Sequence, residues 1–288
     1  MRLLNRGSHI LTPLQALFET KRGRVMPLPP ELARLYGPLR IALKRARPYV
    51  ISNFVTTLDG VVSLNVKGHM GGGAISGCSA QDRLVMGLLR TVADVVIVGA
   101  GTLPADPDHV WTAEYIFPDR ADDYRRLRVA LGKPTSPLNV IVSGSGRLDL
   151  SLPVFASGTV PTLVVTTTAG HRRLRKQETP ESVRIRAVRG RSRITPRSIL
   201  EQVHRINAGK LILVEGGPRL LGDFYAARVL DEQFLTLAPQ IAGRKTGDRR
   251  LSLAMEQAFA PRSPRWGALI DLRRGGSHLF LRYAILKN

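Results

Sequence analysis

A carboxylate, two glycines and a proline follow an apolar run, and this order suits the binding of an anion. The run Leu211–Val214 leads to Glu215, the turn at 216–218 reads Gly-Gly-Pro, and a helical pattern begins at Arg219. The first amides of a helix have no partner within the helix and lie at the positive end of its dipole. Glycine lets a ligand approach the backbone, and proline suits the first helical position. The segment predicts either a site for a phosphate-bearing cofactor or an ordinary strand-to-helix turn with a surface Glu.

A second glycine turn follows an apolar run that ends at position 98. Gly99 and Gly101 begin the dinucleotide pattern G-x-G-x-x-G, but the third glycine is replaced by a proline, so the fingerprint fails. The turn still presents the Thr102 hydroxyl, which can donate to a phosphate oxygen, and the Asp106 carboxylate, which can accept from ribose hydroxyls. Taken alone, Asp106 and the proline after it also suit a plain turn.

Two further strand ends carry polar side chains. Asn53 and Thr57 share one face at the end of the first predicted strand, where they could project into a cleft; a plain strand exit is the alternative. Another strand end offers two hydroxyls, a flexible backbone and an arginine at 147, which suit a ribose 2′-phosphate but equally a surface loop. Its residues are Ser143, Gly144, Ser145 and Gly146. The threonines at 166–168, with Arg172 and Arg173, form a similar but weaker candidate.

Short apolar runs alternate with helical patterns from Pro48 onward, and this alternation must position the turns. Strands are predicted at 49–55, 94–98, 138–142, 162–166, 183–188, 211–214 and 234–237, and helices after Ser79, Thr195 and Pro218. Alternating runs at 268–272 and 278–286, split by two glycines, predict a hairpin. The pattern indicates an α/β fold with a mostly parallel central sheet, helices on both faces and a C-terminal antiparallel hairpin. The glycine turns all follow strands, at the sheet edge where such folds bind ligands.

Residues 1–47 differ from the rest of the chain. They are basic, lack a sustained period and are broken by five prolines. We expect short helical turns near 14–18 and 31–36, in an arm that packs on the domain or on a partner subunit. The domain itself is assigned to 48–288.

The composition limits the classes of function. The net charge is +21 over 288 residues, and one cysteine excludes an internal disulfide or a Cys-rich zinc site. His69, His109 and His171 lack a metal-binding spacing and are expected to be surface or loop residues, so no metal is predicted. No run is long enough to span a bilayer and no export signal is evident, so we expect a cytoplasmic protein. The charge also allows a nucleic-acid- or anion-binding protein, although the basic runs carry no interleaved aromatics.

The chain resembles the C-terminal reductase domain of the bifunctional riboflavin-biosynthesis deaminase/reductase, from about Pro48 to the C-terminus. The resemblance rests on the segments SNFVTTLDG, LLRTVADVVIVGAGTLPADP and LVEGGPRLLGDF, followed by VLDE and LAPQIAG, in family order and spacing. It implies a dihydrofolate-reductase-like fold, NADPH as hydride donor, a phosphoribosylaminopyrimidine as acceptor and a homodimer. Neither H-x-E nor P-C-x-x-C occurs, so a stand-alone member without the deaminase domain is expected.

The resemblance also assigns roles to residues. Asn53, Thr57, Arg90 and Glu215 fall on the substrate side, with Asn53 and Glu215 closest to the chemistry; Asn53 stands where many bacterial members have Lys and archaeal-type members have Asn. The cofactor side comprises Gly99, Gly101, Thr102, Asp106, Ser143, Gly144, Ser145, Gly146, Gly216, Gly217, Pro218, Arg219, Leu220 and Leu221.

The sequence departs from the family after Thr102. Bacterial members often read D-D-P-x-L-T-x-R, where the Arg helps to hold the substrate phosphate, and the residues at 106–112 contain no such Arg. A pterin- or dihydrofolate-type reductase with the same cofactor site therefore stays open as an alternative.

Overall fold

The computed structural model describes residues 11–44, 46–66, 68–69, 71–188, 194–206 and 209–287. Its strands are β1 (Gln15–Glu19), β2 (Arg24–Val25), β3 (Arg40–Ile41), β4 (Tyr49–Thr56), β5 (Val61–Ser63), β6 (Val95–Gly99), β7 (Leu138–Ser143), β8 (Thr162–Thr167), β9 (Val183–Val188), β10 (Leu211–Val214), β11 (Glu232–Leu237), β12 (Leu251–Ser252), β13 (Gly267–Gly275) and β14 (His278–Ile285). Its α-helices are α1 (Pro30–Tyr36), α2 (Gly72–Ser76), α3 (Ala80–Val92), α4 (Ala113–Ile116), α5 (Ala121–Ala130), α6 (Pro153–Ala156), α7 (Thr168–Leu174), α8 (Pro196–Arg205) and α9 (Pro218–Ala226).

Ten of these strands form one sheet in the order β1-β13-β14-β11-β4-β10-β6-β7-β8-β9. From β11 to β9 every neighbouring pair is parallel. The hairpin of β13 and β14 adds antiparallel pairs on the other side. The α/β class, the mostly parallel sheet and the C-terminal hairpin are therefore confirmed.

Side chains of the parallel strands alternate between two apolar layers. One layer packs Ile51, Val96 and Leu213 against α1, α3 and α5. The other packs Val50, Ile97 and Val214 against α8 and α9. Strands buried on both faces have nearly continuous apolar sequences, which is why their positions could be predicted.

The expected helical turn at 14–18 is wrong. Residues Gln15–Glu19 form β1, an edge strand that pairs antiparallel with β13. A single helical turn gains little by itself, whereas the open edge of β13 supplies backbone partners for an extended segment. The expected turn at 31–36 is confirmed as α1, whose Leu32, Leu35 and Tyr36 are buried in the same core as α3.

Helices α5 and α7 are among those that were not foreseen, and α7 lies beside the predicted cofactor loop at 143–146. Helix α5 is rich in charged residues, and α7 spans only seven residues, so neither has a long apolar period. Within the described residues, no helix is long and apolar enough to cross a membrane.

Candidate functional site

The three glycine turns meet at one edge of the sheet because β10, β6 and β7 are neighbours that run in the same direction. The turn after β10 contacts the turn after β6 directly. The Gly99 amide donates to the Gly216 carbonyl oxygen over 3.4 Å. The carboxyl ends of these three strands, and the turns that follow them, thus lie side by side at one edge of the sheet.

The turn after β10 presents the start of α9. Gly217 has a φ of 69°, which favours glycine, and Pro218 opens the helix as predicted. No side chain caps this helix, so the amides of Arg219 and Leu220 are not used by a capping residue. Gly216 has a different role, because a Cβ there would lie 2.7 Å from the Cβ of Val98. It allows this turn to pack closely on β6, next to the uncapped start of α9.

The turn after β6 is a short 3-10 helix over Ala100–Ala105. The Thr102 hydroxyl donates to the Gly99 carbonyl oxygen over 2.8 Å and so closes the turn. A Cβ at Gly101 would meet no protein atom within 4 Å. The backbone at Gly101 is therefore open to a ligand, while Thr102 also holds the turn in shape.

The loop after β7 is held in place by the two threonines that end β8. Thr166 and Thr167 donate to the carbonyl oxygens of Ser143 and Gly144 over 2.6 and 2.7 Å, and Arg173 donates to that of Ser145. Gly146, at a φ of 62°, lies against the backbone of Gly170, where a Cβ would be 2.4 Å from a carbonyl oxygen. The structure thus brings together two candidate groups that the sequence left separate.

Arg90, Glu215 and Asn53, which the resemblance assigns to the substrate side, lie together. The register that pairs Val214 with Ser52 brings Glu215 beside Asn53 on the adjacent strand. Arg90, from the last turn of α3, donates from Nε to Glu215 Oε2 over 2.7 Å, and both side chains are at most 4% exposed. Arg90 also donates from Nη1 to the Thr112 carbonyl oxygen over 3.0 Å.

The second carboxylate oxygen of Glu215, Oε1, is buried and has no hydrogen-bond partner among the described residues. Burial raises the pKa of the Glu215 carboxyl, against the opposing effects of Arg90 and the Asn53 amide. Asn53 lowers this pKa without making a hydrogen bond of normal geometry to Oε1. Glu215 can therefore hold or release a proton, or accept a hydrogen bond from a ligand, at Oε1.

The Thr57 side chain makes hydrogen bonds within the turn between β4 and β5. Its hydroxyl donates to Asp59 Oδ1 over 2.5 Å and accepts from the Val61 amide over 2.9 Å. Hydrogen bonds from Thr57 and from the amides of Ala242 and Gly243 lower the pKa of Asp59 to about 2. The hydroxyl of Thr57 thus orders the strand exit, and its role in substrate binding stays a prediction.

Sequence reasoning missed a group of side chains after Asp106. His109 lies in a loop as expected, but only 14% of its side chain is exposed. Its Nδ1 lies 3.0 Å from Asp106 Oδ2, and its ring centroid lies 4.7 Å from that of Trp111 and 4.6 Å from that of Tyr115. No regular spacing marks such a loop cluster, so only the short spacing of histidine and two aromatics could have signalled it.

A family comparison covers most of the chain. The RibD C-terminal domain matches residues 48–259. The chain is 27% identical, over 68% of its length and 83% of the relative's, to a 2,5-diamino-6-ribosylamino-4(3H)-pyrimidinone 5′-phosphate reductase from Archaeoglobus fulgidus. It is 24% identical to the riboflavin biosynthesis protein RibD of Aquifex aeolicus, and it spans only 49% of that longer protein.

Comparison with solved structures supports the same fold. A pyrimidine reductase-like protein from Corynebacterium diphtheriae superposes with a TM-score of 0.66 at 20% identity, covering 89% of this chain and 99% of that one. At this identity the likeness establishes the fold and leaves the chemistry to be argued from the site.

Proposed function

Because the chain belongs to the RibD C-terminal domain family, we propose that it is an NADPH-dependent reductase of a ribosylaminopyrimidine 5′-phosphate in riboflavin biosynthesis. The reaction adds a hydride and a proton to the ribosyl group and yields a ribityl group. The observation that carries the proposal is the buried Arg90–Glu215 pair, with Asn53 beside it, at the edge where three glycine turns converge.

The cofactor fits the glycine turns. The uncapped start of α9 suits a pyrophosphate, and Gly101 and Gly144 leave open space where a Cβ would meet no protein atom within 4 Å. The loop at 143–146, with Arg147 beside it, suits the 2′-phosphate that distinguishes NADPH from NADH. When bound, the nicotinamide supplies the hydride.

The protein's own groups orient the acceptor. Arg90 fixes the Glu215 carboxyl through Oε2, which leaves Oε1 to accept a hydrogen bond from an amino group or to pass a proton. Asn53 contributes an amide on the same face of the sheet. Water has little access to this pair, which strengthens each polar contact.

Apart from Arg147, the glycine turns would bind the cofactor through backbone atoms and neutral hydroxyls, so the proposal needs little of the +21 charge. We also expect the enzyme to be a cytoplasmic homodimer, as the family resemblance suggests. Light scattering coupled to size-exclusion chromatography would give the oligomeric state directly.

The proposal is tested by measuring the rate at which the purified protein oxidises NADPH in the presence of a candidate acceptor. Purified protein should oxidise NADPH faster than NADH with a ribosylaminopyrimidine 5′-phosphate, presented in its 2-amino and its 2-oxo form. A dihydropterin in parallel tests the alternative acceptor, and tryptophan quenching reports cofactor binding in the absence of turnover. No NADPH binding, or turnover of the pterin alone, would overturn the proposal.

Glu215→Gln should lower kcat/KM by about tenfold or more, because an amide cannot pass a proton. The affinity for NADPH should be unchanged. The matched control is Glu178→Gln, the same substitution at an exposed position. Full turnover by the Glu215 variant would remove Glu215 from the chemistry.

A further inference from the structure

His109 is held in one orientation by contacts on three sides. Its Nδ1 lies 3.0 Å from Asp106 Oδ2. Trp111 and Tyr115 contact the ring with tilted geometry, at centroid distances of 4.7 and 4.6 Å. A histidine that served only as a loop residue would not need such fixed surroundings.

These contacts determine which nitrogen carries the hydrogen. An ionised carboxylate can only accept, so Nδ1 donates to Asp106 and Nε2 of the neutral ring is a bare acceptor. Burial and the nearby Arg90 charge lower the pKa of His109 to about 4, against the effect of Asp106. The ring is therefore neutral near pH 7. Nε2 is nevertheless buried with no partner in the described part of the chain.

A second buried acceptor belongs to Glu215, the ion-pair partner of Arg90. Arg90 bonds Glu215, the Thr112 carbonyl oxygen and the Met86 sulfur, and it acts electrostatically on His109. Glu215 Oε1 also lacks a partner among the described residues. Buried acceptors that lack a partner cost free energy, which a ligand with suitable donors would recover.

The charge around His109 indicates an uncharged donor group. Asp106 Oδ2 lies 3.0 Å from Nδ1, Asp108 is in the same loop, Glu114 lies in the first turn of α4, and the Arg90 charge is paired with Glu215. Nε2 of the neutral imidazole is an acceptor, so it has no hydrogen to offer an anionic substituent. An amino or hydroxyl group would find an acceptor.

We propose that His109 determines substrate specificity: its Nε2 accepts a hydrogen bond from an amino or ribosyl hydroxyl group of the pyrimidine substrate, while Glu215 Oε1 accepts a second. This inference rests on the proposed reductase function. It assigns recognition of uncharged substrate donors to the loop that carries Asp106, Trp111 and Tyr115.

Three substitutions distinguish the contribution of the acceptor atom Nε2 to substrate binding from the contribution of the packed ring. His109→Phe keeps the aromatic packing without an acceptor, and His109→Asn keeps a partner for Asp106 but has no atom at the ε position. His109→Gln places an amide near the position of Nε2. We expect KM for the ribosylaminopyrimidine 5′-phosphate to rise on the order of tenfold for Phe and Asn and about threefold or less for Gln. The NADPH dissociation constant should be unchanged in all three, and exposed His204→Asn is the control.

Nitrogen NMR of the histidine rings gives a readout that is independent of turnover. A bare Nε2 in the free protein, with a shift that moves when the pyrimidine is added, supports the inference. A wild-type KM in His109→Phe, or an NADPH dissociation constant that rises in parallel with KM, would overturn it. If the wild-type protein neither binds NADPH nor reduces the pyrimidine, the proposed function fails and the inference fails with it. If the wild type is active and only the His109 effects are absent, the inference alone fails.

Discussion

At the residue scale, the site depends on a buried pair of opposite charges. Arg90 and Glu215 are withdrawn from water, which costs free energy that their 2.7 Å contact only partly recovers. The Glu215 pKa is raised because burial outweighs the opposing effect of Arg90. The folded protein therefore holds a proton on Glu215 more readily than the unfolded chain does.

This difference predicts a pH dependence of stability. A carboxyl with a raised folded-state pKa contributes stability that is fully present below its ordinary value of 4.5 and lost as the pH rises through the folded-state value. Relative to Glu215→Gln, the wild type should lose free energy of unfolding as the pH rises from 4.5. Urea unfolding at a series of pH values measures this, with Glu178→Gln as control. Parallel pH profiles for wild type and Glu215→Gln would contradict it.

At the element scale, the turns contain glycines of two kinds. Gly216 packs against Val98, whereas Gly101 faces open space. The sequence predicted the turns because each follows an apolar strand, but it could not separate the two kinds. That distinction depends on which neighbouring strand lies within a few ångströms. The same limit applies to His109, whose burial depends on Trp111 and Tyr115 in the folded loop.

Two alanine substitutions should therefore affect different properties, one the stability of the fold and the other the affinity for NADPH. Gly216→Ala places a methyl group 2.7 to 2.9 Å from atoms of Val98, so we expect it to lower the free energy of unfolding by about 1–3 kcal/mol. Gly101→Ala should leave the melting temperature unchanged and weaken NADPH binding about tenfold, because its methyl group meets only the ligand. Calorimetry and cofactor titration of both variants provide the comparison. A destabilised Gly101→Ala with normal NADPH affinity would refute the proposed role of this turn.

A second element-scale feature joins distant segments at the opposite ends of the strands. Asp231, just before β11, accepts from Lys44, Arg47, Lys287 and the Val50 amide. Burial alone would raise its pKa, but these hydrogen bonds lower it well below its ordinary value. Asp231 thus connects β4, β11, the chain before β4 and the end of β14.

Asp231→Asn should lower the free energy of unfolding near pH 7 by about 3 kcal/mol, because the cations around it lose their partner. A lowered carboxyl pKa gives stability that is present above the ordinary value of 3.8 and lost as the pH falls through the folded-state value. The difference in free energy of unfolding between the wild type and Asp231→Asn should therefore become smaller as the pH falls. Denaturant unfolding at pH 7 and pH 3 tests this, and a constant difference would exclude the ionic explanation.

At the scale of the whole molecule, residues outside the family match complete the fold. The family region covers 48–259, yet α1 and Phe280 of β14 belong to the main core, and β1, β13 and β14 extend the sheet. The periodicity of residues 48–288 was enough to predict a mostly parallel sheet and the hairpin, but not the order of the strands. The pairing of β1 was not predictable, because a five-residue edge strand with an exposed outer face has no distinctive pattern.

Deletion of residues 1–22 should uncover the edge of β13. We expect a melting temperature several degrees lower and association in solution, because free backbone donors and acceptors on a sheet edge pair with other chains. Thermal unfolding with light scattering measures both effects. Deletion of residues 1–10 is the control, because it leaves β1 intact. A monodisperse 1–22 deletion with the wild-type melting temperature would show that β1 is dispensable.

The pairing of β1 with β13 has a consequence for biosynthesis. Gln15 is opposite Arg274 in the register, so β1 is synthesised long before the strand that it pairs with. During translation, the backbone donors and acceptors of β1 have no partner strand until β13 is made. The need for chaperones should therefore be greatest for the nascent chain and end when the hairpin is released.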